Sequence, residues 1–273
     1  MLIPKVFVNI SLAALILLRA VNYYNCAAQD KNSPKLFAPG VISGAADDLS
    51  PAFTPDGKTV YFTRPNNSSS TILFSTLDNG QWSTPQIASF SGQWNDLEPA
   101  MAPDGSFLVF ASNRPADGES KPLNGQWGGK TYPGNGGNLW RVDRTGDGWS
   151  APRRLPDTIN SSAAIFPPSI SSDGSVYFMR SDPTTGRFHL FRSQYLVTYL
   201  AAAPLGIGDE TTDDVDPAIA PDESFIVYTS NHPSKHDQKR LQIVFRNGNG
   251  WSTPVDLGDE VNEAGNNIEA RLA

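Results

Sequence analysis

One ten-residue pattern recurs along this chain and limits what it can fold into. It reads DLSPAFTPDG at 48–57, DLEPAMAPDG at 96–105 and DVDPAIAPDE at 214–223, with a looser copy, AIFPPSISSDG, at 164–174. A fifth copy opens at 267–273 as NIEARLA. Self-similarity at spacings of tens of residues is the mark of a repeat architecture, in which each unit buries its apolar face only against its neighbours.

Each unit predicts the same four strands. A short apolar strand runs into Pro-Asp-Gly, where proline presets φ and glycine accepts a positive φ, so the chain turns back. An aromatic-rich second strand follows (TVYFT at 59–63, FLVFA at 107–111, VYFM at 176–179, FIVYT at 225–229), then a third (TILFS at 71–75, NLWRV at 138–142, HLFR at 189–192, LQIVF at 241–245). The unit closes on Trp-Ser-x-Pro at 82–85, 149–152 and 251–254. Proline lacks a backbone donor and suits an outer edge strand. The third unit has 195–204 in place of that element, so its outer strand is the least defined. Trp82, Trp149 and Trp251 belong to the repeat and are expected in the core.

Measured at Pro51, Pro99, Pro167, Pro217 and Ala270, the units start 48, 68, 50 and 53 residues apart. A four-stranded propeller blade takes roughly 40–50 residues, so the second unit is long. Its excess lies between Pro115 and Gly137, a loop rich in glycine, proline and asparagine. The expected fold is therefore all-β: a β-propeller of four-stranded antiparallel blades, four complete and a fifth begun. The Pro-Asp-Gly turn, the Tyr/Phe-rich second strand and the closing Trp-Ser-x-Pro resemble the WD40-like (PD40) repeats of the TolB propeller family, over about Leu36 to Ala273. That resemblance implies five or six blades in a full member. On this reading Leu36–Ser43 supplies an outer strand to the last blade and Ile268–Ala273 its inner one, with the two middle strands lacking, as in a C-terminally truncated chain.

The first residues read as an export signal. Lys5 precedes an apolar run from Val6 to Leu18, shorter than the ~20 residues that span a bilayer, and Cys26-Ala27-Ala28 places small residues before a cut at Gln29. The domain reading is a signal over 1–28, a linker over 29–35 and the propeller over 36–273, in a periplasmic or secreted protein. Arg19 directly after the run leaves an uncleaved anchor open, and that is the one membrane contact expected. Tyr23, Tyr24 and Asn25 stand where a lipid anchor on Cys26 would want small residues. Cys26 is the single cysteine, so the mature chain has neither disulfides nor thiol chemistry. A formal net charge of −7 repels nucleic acid, and no nucleic-acid partner is expected.

Innermost strands of a propeller converge, so acids at their starts should meet at one mouth of the channel. These are Asp48, Asp96, Glu98, Asp214, Asp216 and Glu269, with Asp47 beside them; the third copy breaks the series, with Phe166 aligned to Ser50, Glu98 and Asp216. Such a ring could take a metal ion or a basic peptide, or raise carboxylate pKa values by repulsion. Local capping of turns by the same side chains is the competing account. Trp127 and Tyr132, in the long loop, form a second candidate for glycan or protein contact, against burial beneath that loop. His189, His232 and His236 show no metal-ligand spacing, so no metal or other cofactor is expected. No Gly-x-Ser-x-Gly occurs and no serine is visibly partnered by histidine, so no catalytic residue is assigned. The function favoured is a non-enzymatic binding or scaffold propeller contacting a protein or an envelope polysaccharide through one face. The alternative is a carbohydrate-active lyase or glycosidase using mouth carboxylates.

Overall fold

A computed structural model describes residues 35–67, 69–116, 120–208, 211–231, 238–262 and 267–272. The expected signal segment, Cys26, His232 and His236 lie outside them. Among the described residues there is no helix, and hence none long and apolar enough to cross a membrane. The chain forms four antiparallel blades in a propeller arrangement; residues 267–272, expected as the inner strand of a fifth, form no strand. Their inner, middle and third strands are Leu49–Phe53, Thr59–Pro65 and Ser70–Asp78 in blade 1, and Asp96–Met101, Phe107–Ser112 and Asn138–Thr145 in blade 2. Blade 3 has Ile165–Ile170, Val176–Ser181 and Phe188–Ser193, and blade 4 has Asp213–Ile219, Phe225–Asn231 and Lys239–Asn247.

The outer strand explains the Trp-Ser-x-Pro element. In blades 1, 2 and 4 it is broken into two-residue pieces, such as Gln81–Trp82 and Gln86–Ile87. At the break the serine hydroxyl replaces a ladder carbonyl. Ser83 Oγ accepts the Thr76 N–H at 3.0 Å, Ser150 Oγ that of Asp143 at 3.0 Å, and Ser252 Oγ that of Phe245 at 3.1 Å. The proline beyond it needs no donor. Blade 3, lacking the element, has a single two-residue outer strand at Ala203–Pro204.

Every inner strand carries a one-residue bulge just past its start. The register slips between Leu49 and Ala52, Leu97 and Ala100, Phe166 and Ser169, and Val215 and Ala218. This corrects the sequence alignment of the third copy. Phe166 occupies the position of Leu49, Leu97 and Val215, and Pro167 the position of Ser50, Glu98 and Asp216. With that one-residue shift the extra residue in the third pattern disappears. The bulge residues Ser50, Glu98 and Asp216 have φ of 50°, 56° and 55°, a left-handed conformation costing roughly 1–2 kcal/mol in a residue with a Cβ. Proline locks φ near −65° and cannot follow, and residue 167 is not left-handed.

Neighbouring blades pack face to face. Tyr61, Ile72 and Phe90 of blade 1 meet Leu108, Phe110 and Trp140 of blade 2. Val109 and Leu139 meet Ile165 and Phe178 across the next seam, and Tyr177 and Leu190 meet Ile226 and Tyr228 across the third. The two terminal faces are covered by non-strand chain. Phe37 and Ile42 pack on Val60, Phe62 and Trp82 of blade 1, so 36–43 forms a turned segment there and no strand. Leu257, Val261, Ala270 and Leu272 cover blade 4. Residues 267–272 thus stand between blade 4 and blade 1, and Glu269, at φ 58°, repeats the left-handed bulge of the inner strands.

Candidate functional site at the channel mouth

The acids singled out in the sequence divide into two sets. Asp48, Asp96 and Asp214 tie the start of each inner strand to the end of its middle strand. Asp48 receives both Nε and Nη2 of Arg64, at 2.7 and 2.8 Å. Fully buried Asp96 receives Arg114 Nη2 at 2.7 Å and the hydroxyls of Ser112 and Ser91 at 2.6 and 2.9 Å. Asp214, also fully buried, receives Ser230 Oγ at 2.7 Å and Thr212 Oγ1 at 2.9 Å. Gly208 approaches Asp214 so closely that any Cβ there would collide with the carboxylate, and its φ of 75° also favours glycine. Asp47 is exposed.

The second set is made of the bulge residues themselves. Ser50, Glu98, Pro167, Asp216 and Glu269 hold the same position in five successive repeats, and three of them carry acid groups that act on one another. Ser50 Oγ donates to Glu269 Oε2 at 2.8 Å, the link from blade 1 to the 267–272 segment. The Glu98 N–H donates to Thr63 Oγ1 of blade 1 at 2.7 Å, fixing its bulge from the neighbouring blade. Withdrawal from water, then the charges of Glu269 and Asp216, push the Glu98 carboxyl well above the usual range. Burial and Glu269 push Asp216 to about 6, against Arg271 and Lys239. Arg271 opposes the shift in both. Among the described atoms, Glu98 Oε2 and Arg271 Nε and Nη2 are shut from solvent without a hydrogen-bond partner. Glu98, Glu269 and Arg271 are part-exposed as residues, while Asp216 is buried. No group of three or more His, Cys, Asp or Glu among the described residues is placed to hold a metal ion.

Ser50 and Arg271 were not among the sequence candidates. Both sit in the repeat alignment, Ser50 at the acid position and Arg271 two residues beyond Glu269.

The long loop of blade 2 lies on the same face, because middle strands run toward the end where inner strands begin. It forms a hairpin, Gly125–Trp127 paired with Lys130–Tyr132. Gly128 and Gly129 turn it, both at positive φ, as a tight two-residue hairpin requires. Trp127 stacks on Tyr132 with centroids 4.0 Å apart and meets Phe188 of blade 3 edge-on at 6.1 Å. Both aromatic residues are half-buried. His189 follows Phe188 in the third strand of blade 3.

On the opposite face, Glu223 replaces the turn glycine of the fourth copy at φ 58°. Its carboxylate binds Arg192 Nε at 2.9 Å and Arg246 Nη2 at 3.1 Å, bridging blades 3 and 4.

No protein-family model matches the chain, and no curated protein matches it. Among solved structures it is similar to TolB from Acinetobacter baumannii, with a TM-score of 0.53 and 19% identity over 82% of this chain and 45% of that one. A putative TolB from Agrobacterium tumefaciens gives 0.40 and 18%, over 78% and 82% of the two chains. A GH43 endo-arabinanase from Bacillus licheniformis gives 0.47 and 17%, over 77% and 76%. The chain spans less than half the length of the Acinetobacter TolB. At such identities the likeness shows the propeller fold, which serves binding proteins and enzymes alike.

Proposed function

We propose that this chain is an exported, non-enzymatic binding propeller whose acidic mouth takes a lysine or arginine side chain of a protein partner. The observation that carries the reading is that Glu98, Asp216 and Glu269, from three separate repeats, lie close enough to act on one another, with Glu98 Oε2 buried and without a hydrogen-bond partner. Three carboxyl groups face two internal cations, Arg271 and Lys239, and so keep an acidic excess that a further cation would offset. Left-handed residues other than glycine persist where the surroundings force them and gather at functional positions; here they form the ring itself. Export rests on the apolar leader, and the Trp127–Tyr132 hairpin on the same face supplies a flanking contact for the partner or for an envelope polysaccharide.

The test is calorimetric titration of a lysine-rich and a glutamate-rich peptide into the wild-type chain and into Glu98→Gln/Asp216→Asn/Glu269→Gln. The expectation is binding of the basic peptide alone, weakened by tenfold or more in the variant, roughly the effect of losing one buried charge contact. Equal affinity in wild type and variant would overturn the proposal.

A second reading draws on the raised carboxyls. A carboxyl whose burial favours the protonated form is suited to general acid catalysis on a glycosidic bond. Release of reducing ends from envelope polysaccharide, abolished by Glu98→Gln, would favour it over binding.

A further inference from the structure

The third blade departs from the repeat at 195–204, and this departure is exposed and apolar. Leu196, Val197 and Leu200 are 61%, 93% and 42% exposed, and Ala201, Ala203 and Pro204 beside them are exposed too. In a chain that is 18% charged, the sixteen residues from Ser193 to Gly208 hold no charge.

The projection is braced at its base. Leu200 N donates to Gln194 O at 2.9 Å and Leu196 N to Thr198 O at 3.1 Å, closing a small hairpin. Ser193 Oγ holds Leu200 O at 2.6 Å, and Ser175 Oγ holds the Tyr195 N–H at 3.1 Å. Tyr195 and Tyr199 pack ring to ring at 5.0 Å, with Tyr199 buried. Thr158, before the inner strand of this blade, binds Tyr199 O and Ala202 N. Val197 therefore stands out on a fixed support.

We infer that this tip inserts into the surface of a lipid bilayer. The three large side chains offer on the order of 300 Å² of apolar area, well short of the ~800 Å² per partner that a stable protein interface covers. A bilayer asks for no matching surface. It needs a protruding apolar tip with no charge to be stripped of water on entry. That is a contact by the folded part of the chain, separate from any contact through the leader.

The test uses the full chain carrying Cys26→Ser and Val197→Cys, labelled at residue 197 with an environment-sensitive nitrobenzoxadiazole dye. The control carries the dye through Ile87→Cys, 59% exposed on the outer strand of blade 1. Adding phosphatidylcholine vesicles should blue-shift and brighten the dye at 197 and leave it unchanged at 87, with little response to salt. Leu196→Asp/Leu200→Asp should abolish the shift while leaving the thermal melt in place. An unshifted dye at 197, or an equal shift at 87, overturns the inference. So does a shift at 197 that grows with protein concentration without lipid, since a second copy would then cover the tip.

Discussion

Replacing Asp216 with asparagine should stabilise the protein at neutral pH and leave it nearly unchanged in acid. Asp216 is 7% exposed and its carboxyl is pushed from 3.8 to about 6 by burial and by Glu269. The folded state therefore holds this proton more tightly than the unfolded chain does. Wild-type stability falls as pH rises from about 4 to about 6, and the full deficit persists above that window. Roughly 2 pH units at ~1.4 kcal/mol each give a deficit of about 3 kcal/mol. Asparagine keeps the size and hydrogen-bonding of the protonated acid and tolerates the left-handed φ of 55°. At pH 7.5 the variant should gain up to ~3 kcal/mol in urea unfolding, or on the order of 10 °C in Tm for a domain of this size. At pH 4 the gain should vanish. Carboxylates held low by hydrogen bonds and cations, such as Asp173 and Asp256, lose stability in acid. They do so equally in both proteins and cancel in the difference. A difference that does not vary with pH, or a wild type more stable at pH 7.5, would refute the assignment of buried repulsion to the mouth.

The two anchoring arginines should differ in weight. Arg114→Met strands the fully buried Asp96 and should cost about 3–5 kcal/mol in urea unfolding, whereas Arg64→Met, with 31% of its side chain exposed, should cost clearly less. Equal losses would show that burial does not set the strength of these pairs. Glu223→Gly relieves a left-handed φ, worth about 1 kcal/mol, but removes the bridge to Arg192 and Arg246. A net loss of about 1 kcal/mol is expected by the same measurement, and a gain would mean the bridge adds nothing.

Strands, turns and the blade count were legible because one local pattern encodes each of them. Two things were not. The third copy presents Pro167 and Pro168 in tandem, and matching the first of them to Pro51 put Phe166 one place out; only backbone pairing shows which proline follows the bulge. The role of each acid was hidden as well, because the left-handed bulge at the second acid breaks the strand alternation that would otherwise send both side chains to one face. Asp96 and Glu98 share a motif, yet one turns to Arg114 in its own blade and the other toward Glu269 and Asp216. A signal for the first existed in the Arg-Pro at 64–65 and 114–115, which stands at the end of the second strand in blade 1 and just beyond it in blade 2. For the second the signal was the convergence of inner-strand starts on one mouth, although Glu98 lies more than a hundred residues from either of the others.

The broken outer strands bear on how the molecule behaves in company. An intact edge strand is a template on which another chain can add, and propeller blades expose one edge each. Here three of the four edges are two-residue pieces parted by proline, with a serine hydroxyl already occupying the ladder position at the break. Among the described residues, the regular strand at each of these edges runs for two residues at a time. The motif that marks the repeat in the sequence is thus also a guard against stacking, and at high concentration its serine and proline, more than its tryptophan, should keep the chains apart.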